Sequence, residues 1–465
     1  MSETTTKVGK TDESAESRFK VGTLRYSLPR LLLVGASMLL ATQSLALLCN
    51  HLIPGIAPVL LDRCGASSAQ IALVIGTLPY VFNFVLNPII STVSDKTRTR
   101  RGRRIPYLIL SAPVMALLLV MIAWSPEIAG LLHRFVLTTV EIGTLKLVTL
   151  AVLISLFMLV YLFPGSVVEY LIADVIPREC IGRYQAFTSL ASIGLGFCFN
   201  KFILAVATEH TKTVLALCAL LYLGVYILQF FVVKEGGYPP VADRITGGAS
   251  PVRRAMEYVA LFFRQCFSRR IFIFLFISVG LNRASTICRT MFNVLFATKE
   301  LGMSVAEYGE VMAYGALGAA LIVLPLGKIM DRTHPIYLYF IGGIIIIVTN
   351  VIGYLYVWTP KSFLIVGISM SVVYAIQNLA WGPLGISLMP RDKYGQFCSA
   401  QAMLVSLTVS AGSLLGGKLI DLFGYRVIFV WDFTVTALAT LTLLVVFYDW
   451  KRLGGRSNYQ PPPTD

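Results

Sequence analysis

Charge is scarce along this 465-residue chain: Asp, Glu, Lys and Arg make up 14% of it, against 56% hydrophobic residues and a mean hydropathy of +0.74. That scarcity excludes a soluble globular fold, because no aqueous protein hides so much apolar surface, and it makes lipid the solvent for much of the chain. Strict apolar–polar alternation is missing, which excludes a spanning β-barrel. The eight cysteines, from Cys49 to Cys398, include no C-x-x-C pair, so neither a disulfide framework, a metal site nor any other cofactor is expected. No H-E-x-x-H, G-x-S-x-G or Walker-type loop occurs, which makes an intramembrane enzyme or a sensor the weakest functional classes. The first 28 residues lack the apolar core and small-residue cleavage site of a secretory signal and read as a disordered cytosolic tail.

What is present is a series of apolar runs. A helix needs about 20 apolar residues to cross roughly 30 Å of hydrocarbon, and twelve runs qualify, near 30–53, 68–93, 105–125, 146–172, 185–208, 213–233, 271–297, 306–330, 335–357, 362–388, 398–420 and 426–448. Helices satisfy their own backbone hydrogen bonds in lipid, so the expected architecture is all-α with twelve transmembrane helices. The longest connection, 234–270, carries Gly236-Gly237, Pro239-Pro240 and Gly247-Gly248, then a basic, partly amphipathic stretch. It separates two six-helix bundles, 29–233 and 271–448, and the residues from 449 to 465 form a second tail.

Internal similarity supports two related halves. The turn after the fourth run reads Ile176-Pro177-Arg178-Glu179-Cys180-Ile181-Gly182-Arg183-Tyr184. After the tenth it reads Met389-Pro390-Arg391-Asp392-Lys393-Tyr394-Gly395-Gln396-Phe397, with proline, arginine, acid and glycine at the same spacing.

The net charge of +15 is concentrated. Between Asp95 and Arg104 six cations and one acid occupy about ten residues, a joint that belongs on the cytoplasmic face. With both termini inside, most of the 39 lysines and arginines fall in the tails and in the turns after even-numbered runs. That is the positive-inside pattern, and it accounts for the basic character without a nucleic-acid partner. A plasma membrane, or bacterial inner membrane, is the expected location.

These turns carry a family resemblance. Asp95-x-x-x-x-Arg100-Arg101-Gly102-Arg103-Arg104-x-Pro106 resembles the loop between helices 2 and 3 of the major facilitator superfamily. Its extended form is closest to the glycoside–pentoside–hexuronide:cation symporters and the sucrose-transporter relatives. A shorter counterpart follows the eighth run at Asp331-Arg332. The resemblance implies alternating access between two halves and a gating role for Asp95, Arg100, Gly102, Arg103 and Arg104, with Asp174, Arg178, Glu179, Gly182 and Arg183 as neighbours; an ordinary topology-setting charge cluster is the alternative. One departure stands out. Where melibiose-type symporters carry two aspartates on helix 2, this chain has Asn83 and Asn87. Amides offer neutral carbonyl oxygens, so the usual sodium site is not expected and a proton is the expected coupling ion, while Asn83 and Asn87, one helical turn apart, are candidates to hydrogen-bond a solute hydroxyl.

Ionisable residues inside spans are costly and are functional candidates by default. Glu169 in the fourth run is the candidate coupling acid, with a shallow salt bridge to the basic turns as the alternative. Asn282, Thr286, Arg289 and Asn293 share one face of the seventh helix, and Arg283 lies beside that stripe; an arginine at this depth implies a partner. The resemblance says that helices 1, 4, 7 and 10 line a cavity. They offer Gln43, Asn50 and His51; Tyr161; Arg289 and Asn293; and Tyr374, Gln377, Asn378 and Trp381. Amides, a guanidinium and flat rings suit a sugar, although such groups also join neighbouring helices. The expected activity is secondary transport of a sugar or glycoside by a monomer. An exporter or an organic-anion carrier using Arg283 and Arg289 is the alternative.

Overall fold

The computed structural model describes residues 19–21, 23–97, 99, 102–236, 260–390 and 393–463, and gives only the backbone at 88, 91–96, 178, 324, 328, 331 and 457. Arg100 and the side chains of Asp95, Arg178 and Asp331 lie outside the described residues. Among the described residues twelve long helices cover the twelve apolar runs: α1 Leu28–Arg63, α2 68–96, α3 Ile105–Ala123, α4 Ile142–Val175, α5 178–209, α6 Thr211–Val232, α7 Arg270–Glu300, α8 Val305–Arg332, α9 Pro335–Tyr356, α10 Pro360–Leu388, α11 Tyr394–Phe423 and α12 Val427–Arg452, and all but α8 are apolar enough along their length to count as membrane spans by composition. Helix starts follow local chemistry. Ser67 with Gln70, Ser304 with Glu307 and Thr359 with Ser362 form capping boxes, which satisfy otherwise orphaned first-turn N–H groups. Prolines 106, 335 and 360 occupy first-turn positions, where a missing N–H costs nothing.

Three features depart from the sequence reading. Residues 19–21 and 24–26, expected to belong to a disordered tail, pair as the antiparallel strands β1 Phe19–Val21 and β2 Leu24–Tyr26, and Tyr26 is buried. The apolar faces of Phe19, Val21 and Leu24 pack on the helical core, which gives the hairpin a hydrophobic anchor. A short amphipathic helix, Ser125–Phe135, fills the α3–α4 connection. The final segment folds back on the second bundle: the Tyr459 hydroxyl donates to the Leu388 carbonyl at 2.9 Å, and Arg269 Nε donates to the Pro463 carbonyl at 2.8 Å.

The two halves repeat one packing plan. In the first, α1 packs on α6, α3 on α6 and α4, and α2 on α4; in the second, α7 packs on α12, α9 on α12 and α10, and α8 on α10. Across the seam α2 meets α11, α5 meets α8, and α1 meets α7. Among the described residues four helices contain π-helical turns, at 47–52, 72–77, 199–203 and 296–300. All four helices stand at the seam, where such turns re-aim side chains.

Among the described residues, bonds between the halves cluster at the end opposite the basic turns. The Asp421 carboxylate accepts from the backbone N–H groups of Ser68 at 2.6 Å and Ala69 at 2.9 Å. Thr77 bonds the Ser410 carbonyl and the Ser413 hydroxyl at 3.1 and 2.9 Å, and Lys201 pairs with Glu310 at 2.5 Å. Lys299 pairs with Asp62. Glycines allow the close approach. A Cβ on Gly417 would lie 2.7 Å from that of Ala72, and one on Gly309 would overlap the Asn200 carbonyl oxygen.

Candidate functional site

Two cavities, of about 350 and 380 Å³, lie at the seam and share Asn50, Pro54 and Thr290. Both fall in the size range of small-molecule sites. The first is walled by α1, α5, α7, α8 and α10, the second by α1, α2, α4 and α7.

The polar stripe on α7 faces the first cavity with three of its four members, Thr286, Arg289 and Asn293. Thr286 and Thr290 donate their hydroxyl protons to carbonyls one turn back, which leaves oxygen lone pairs free to accept from a solute. Arg289, nine-tenths buried, does have the partner that its depth demands: Nε lies 2.5 Å from Oδ2 of Asp432, a fully buried residue on α12. A second guanidinium nitrogen, Nη2, donates to Asn350 Oδ1 at 2.6 Å, and the plane stands over the Phe429 ring. Asp432 also accepts from the Tyr374 hydroxyl at 2.7 Å and the Ser285 hydroxyl at 2.9 Å. Both oxygens of the buried carboxylate therefore meet donors, three in all, and such added hydrogen bonds help a buried ion pair to persist. Arg289 and Tyr374 complete the network and also line the cavity.

The second cavity gathers Asn50, Asn83, Tyr161 and Glu169, all expected from the sequence, together with Tyr80 and Ser166. Asn83 Nδ2 reaches the Ser406 hydroxyl across the seam at 3.3 Å. Glu169 is exposed at the cavity wall and makes no ion pair among the described residues. That geometry differs from the shallow salt bridge held open as its alternative.

Other expected solute ligands are engaged elsewhere. Gln43 joins α1 to α5, donating to the Thr188 carbonyl and accepting from Ser192, each at 3.1 Å. Gln377 is buried and accepts from Asn282 at 2.6 Å. Asn87 accepts from Ser166 at 3.2 Å. These three amides line neither cavity: each sits where two helices approach closely, and a neighbour satisfies it before a solute does. Arg283, Asn378 and Trp381 make a separate cluster, with Arg283 Nη1 3.3 Å from Asn378 Oδ1 and its guanidinium carbon 4.6 Å above the Trp381 ring. They too lie outside both cavity walls. His51 does line the first cavity, packed against Phe199.

The basic turn is built around Asp174. Arg103 grips it with two nitrogens, Nε at 3.2 Å and Nη2 at 2.8 Å, while Arg104 Nε stands 3.5 Å away. Arg104 also covers the Tyr170 ring. Glu179, Gly182 and Arg183 are exposed on the first turns of α5, and Arg332 is exposed at the end of α8. Sequence reading did not anticipate the partner on the other side of the turn: Glu235, just after α6, accepts from the N–H groups of Arg103, Arg104 and Ile105 at 2.7–2.9 Å.

Asp432 escaped the sequence reading as well, although a signal existed. It is the acid inside the apolar run 426–448, and the rule that selects Glu169 selects it equally.

Comparison with known proteins places the fold. The family described as MFS/sugar transport protein matches residues 55–448. The nucleoside transporter NupG is similar in structure, with a TM-score of 0.61 at 13% identity over 90% of this chain and 99% of that one. A bacterial homologue of the lysosomal transporter Spinster, in an inward-facing and unoccupied conformation, gives a TM-score of 0.61 at 14% identity over 94% of this chain and 100% of that one. Among curated proteins, the proton-coupled antiporter flippase LtaA of Staphylococcus saprophyticus is 24% identical over 132 residues, 27% of this chain. The chain spans about a third of the length of that relative, 32%.

Proposed function

The chain belongs to the MFS/sugar transport family and is a multi-pass membrane transporter, not an enzyme, and we propose that it moves a sugar or glycoside by alternating access with a proton as the coupling ion. One observation carries this reading: Asn50 of α1, Tyr161 and Glu169 of α4, Thr286, Arg289 and Asn293 of α7 and Tyr374 of α10 converge on two adjoining cavities at the seam between paired halves. Asn50, Asn83, Asn293 and the threonines of α7 offer directional bonds to hydroxyls, while Tyr161 and Tyr374 offer ring faces to the C–H surface of a pyranose. The charge pattern supports a cytoplasmic position for the basic turns and both termini, and the membrane in this reading is the plasma membrane. The bonded end of the seam is then the outer gate. Opening that gate and closing the basic end delivers the site to the other side, with the cluster of Gly102, Arg103, Arg104 and Asp174 as the inner gate. One copy of the chain contains both cavities and both gates.

Glu169 is the coupling acid in this reading. It is exposed to the second cavity, and an acid that faces a cavity within the membrane is the kind of group from which proton relays are built. Asn83 and Asn87 present no carboxylate, which favours a proton over sodium. The proton coupling in the name of the flippase relative points the same way.

The test is uptake into proteoliposomes of a panel of neutral sugars and glycosides under imposed proton or sodium gradients. Accumulation of a neutral sugar driven by a proton gradient is expected. Glu169→Gln is expected to abolish that accumulation and to spare counterflow. Accumulation of organic anions alone, or accumulation that Glu169→Gln leaves intact, sinks the corresponding part of the reading.

A further inference from the structure

A guanidinium in a transporter cavity ordinarily marks an anion site, because it presents five donors and a permanent charge. Arg289 is different. Its charge is matched at 2.5 Å by Asp432, which is wholly buried behind it and held in place by Tyr374 and Ser285. Nε and Nη2 are engaged with Asp432 and Asn350, whereas Nη1 has no hydrogen-bond partner among the described residues. The cavity wall here is a donor without net charge.

One turn further along α7, Asn293 supplies the complementary feature. It is 6% exposed, lines the same cavity, and its Oδ1 has no hydrogen-bond partner among the described residues. A buried carbonyl oxygen without a donor is destabilising, so the position calls for a ligand that brings an O–H or N–H. Together the two side chains ask a solute to accept at Arg289 and donate at Asn293, which a hydroxyl pair on one sugar face does. A carboxylate in the same place donates nothing to Asn293. It also meets a guanidinium whose field Asp432 has largely cancelled, so its desolvation goes uncompensated.

We propose that Asp432 sets the charge selectivity of the first cavity: by neutralising Arg289 it tunes the site to uncharged polyhydroxyl solutes and against their carboxylate analogues. This inference rests on the sugar reading given above, and it makes Asp432 a specificity-determining residue that touches no solute. Removing its charge converts the site into an anion receptor.

The experiment measures Kd by titration calorimetry on the purified full-length chain with methyl glucoside, methyl glucuronide and acetate. For the unmodified protein, glucoside is expected to bind at least about tenfold more tightly than glucuronide, with no acetate binding. For Asp432→Asn the order of the two sugars reverses, and acetate binds. In the double variant Arg289→Gln/Asp432→Asn acetate binding disappears again, because both charges are gone. The proposal is overturned if the unmodified protein binds glucuronide as tightly as glucoside, if Asp432→Asn gains no affinity for acetate, or if the double variant keeps that gain. A protein silent to both sugars sinks the sugar reading alone, and the acetate comparison still decides the role of Asp432. Should Asp432→Asn fail to fold, Arg289→Gln replaces it. There the unmatched Asp432 is expected to weaken glucuronide more than glucoside, and equal weakening overturns the proposal.

Discussion

Asp421 of the second half sits on the amino end of α2 in the first, its two carboxylate oxygens 2.6 and 2.9 Å from the N–H groups of Ser68 and Ala69. A helix start offers unpaired donors and a partial positive charge, so one side chain closes the seam through main-chain atoms. Asp421→Ala is expected to favour opening of this end. Faster labelling of a cysteine placed at the buried position Ser413, by a membrane-impermeant maleimide from that side, is the readout. An unchanged rate counts against the contact as a gate.

Gly309 tests the same gate sterically. Its backbone lies so close to the Asn200 carbonyl that any side chain at 309 overlaps that oxygen. Gly309→Leu is expected to insert into the membrane normally and yet lose nearly all transport, since α5 and α8 can no longer close. Transport within twofold of the unmodified rate, at equal protein level, contradicts this.

At the other end, Glu235 accepts from three successive N–H groups leading into α3, those of Arg103, Arg104 and Ile105. Gly102 makes room for it: φ is +113°, and a Cβ would stand 2.6 Å from that of Glu235. Glu235→Ala is expected to cost about 1–2 kcal/mol of stability, the scale of a lost helix cap or charged hydrogen bond. Gly102→Ala is expected to cost at least as much, because it combines a left-handed strain with the displaced carboxylate. Thermal unfolding of the single and double variants should show losses well short of additive. Full additivity would mean that the two residues act separately.

His334 gives a pH dependence. It precedes α9, and its Nδ1 accepts from the Ile336 N–H at 3.2 Å, a cap that only the neutral ring provides. Burial, with help from the nearby Arg456 cation, lowers its pKa to about 4. Between the ordinary value near 6.5 and about 4, the unfolded chain binds a proton that folded His334 refuses. Stability present above pH 6.5 is therefore lost as the pH falls through that window. Melting temperatures from pH 7.5 to 4.5 should drop more for the unmodified protein than for His334→Asn, which caps without titrating. Parallel curves would exclude His334 as the cause.

Much of the architecture was legible from the chain because lipid imposes length and apolarity on every span. The twelve runs and the basic joint follow from local composition, whereas most of the linker, 237–259, lies outside the described residues. At the site, legibility fell with the number of helices that had to meet. Glu169, Asn50 and Tyr161 are marked by polarity within an apolar run, and they do line a cavity. Gln43 and Gln377 carry the same mark, but helix neighbours engage them. The residues from 19 to 26 looked like tail because a hairpin this short has no stability of its own; it exists through its packing on the helices.

By itself the sequence determined the solvent, the helices, their pairing into two halves and the family. Those depend on hydropathy and short motifs, which are properties of neighbouring residues. Tertiary structure alone decided that Arg289 faces Asp432, 143 positions away, and that Glu235 caps α3 from 130 positions further on. Charge matching between distant segments depends on which helix faces pack together, and no local pattern encodes that.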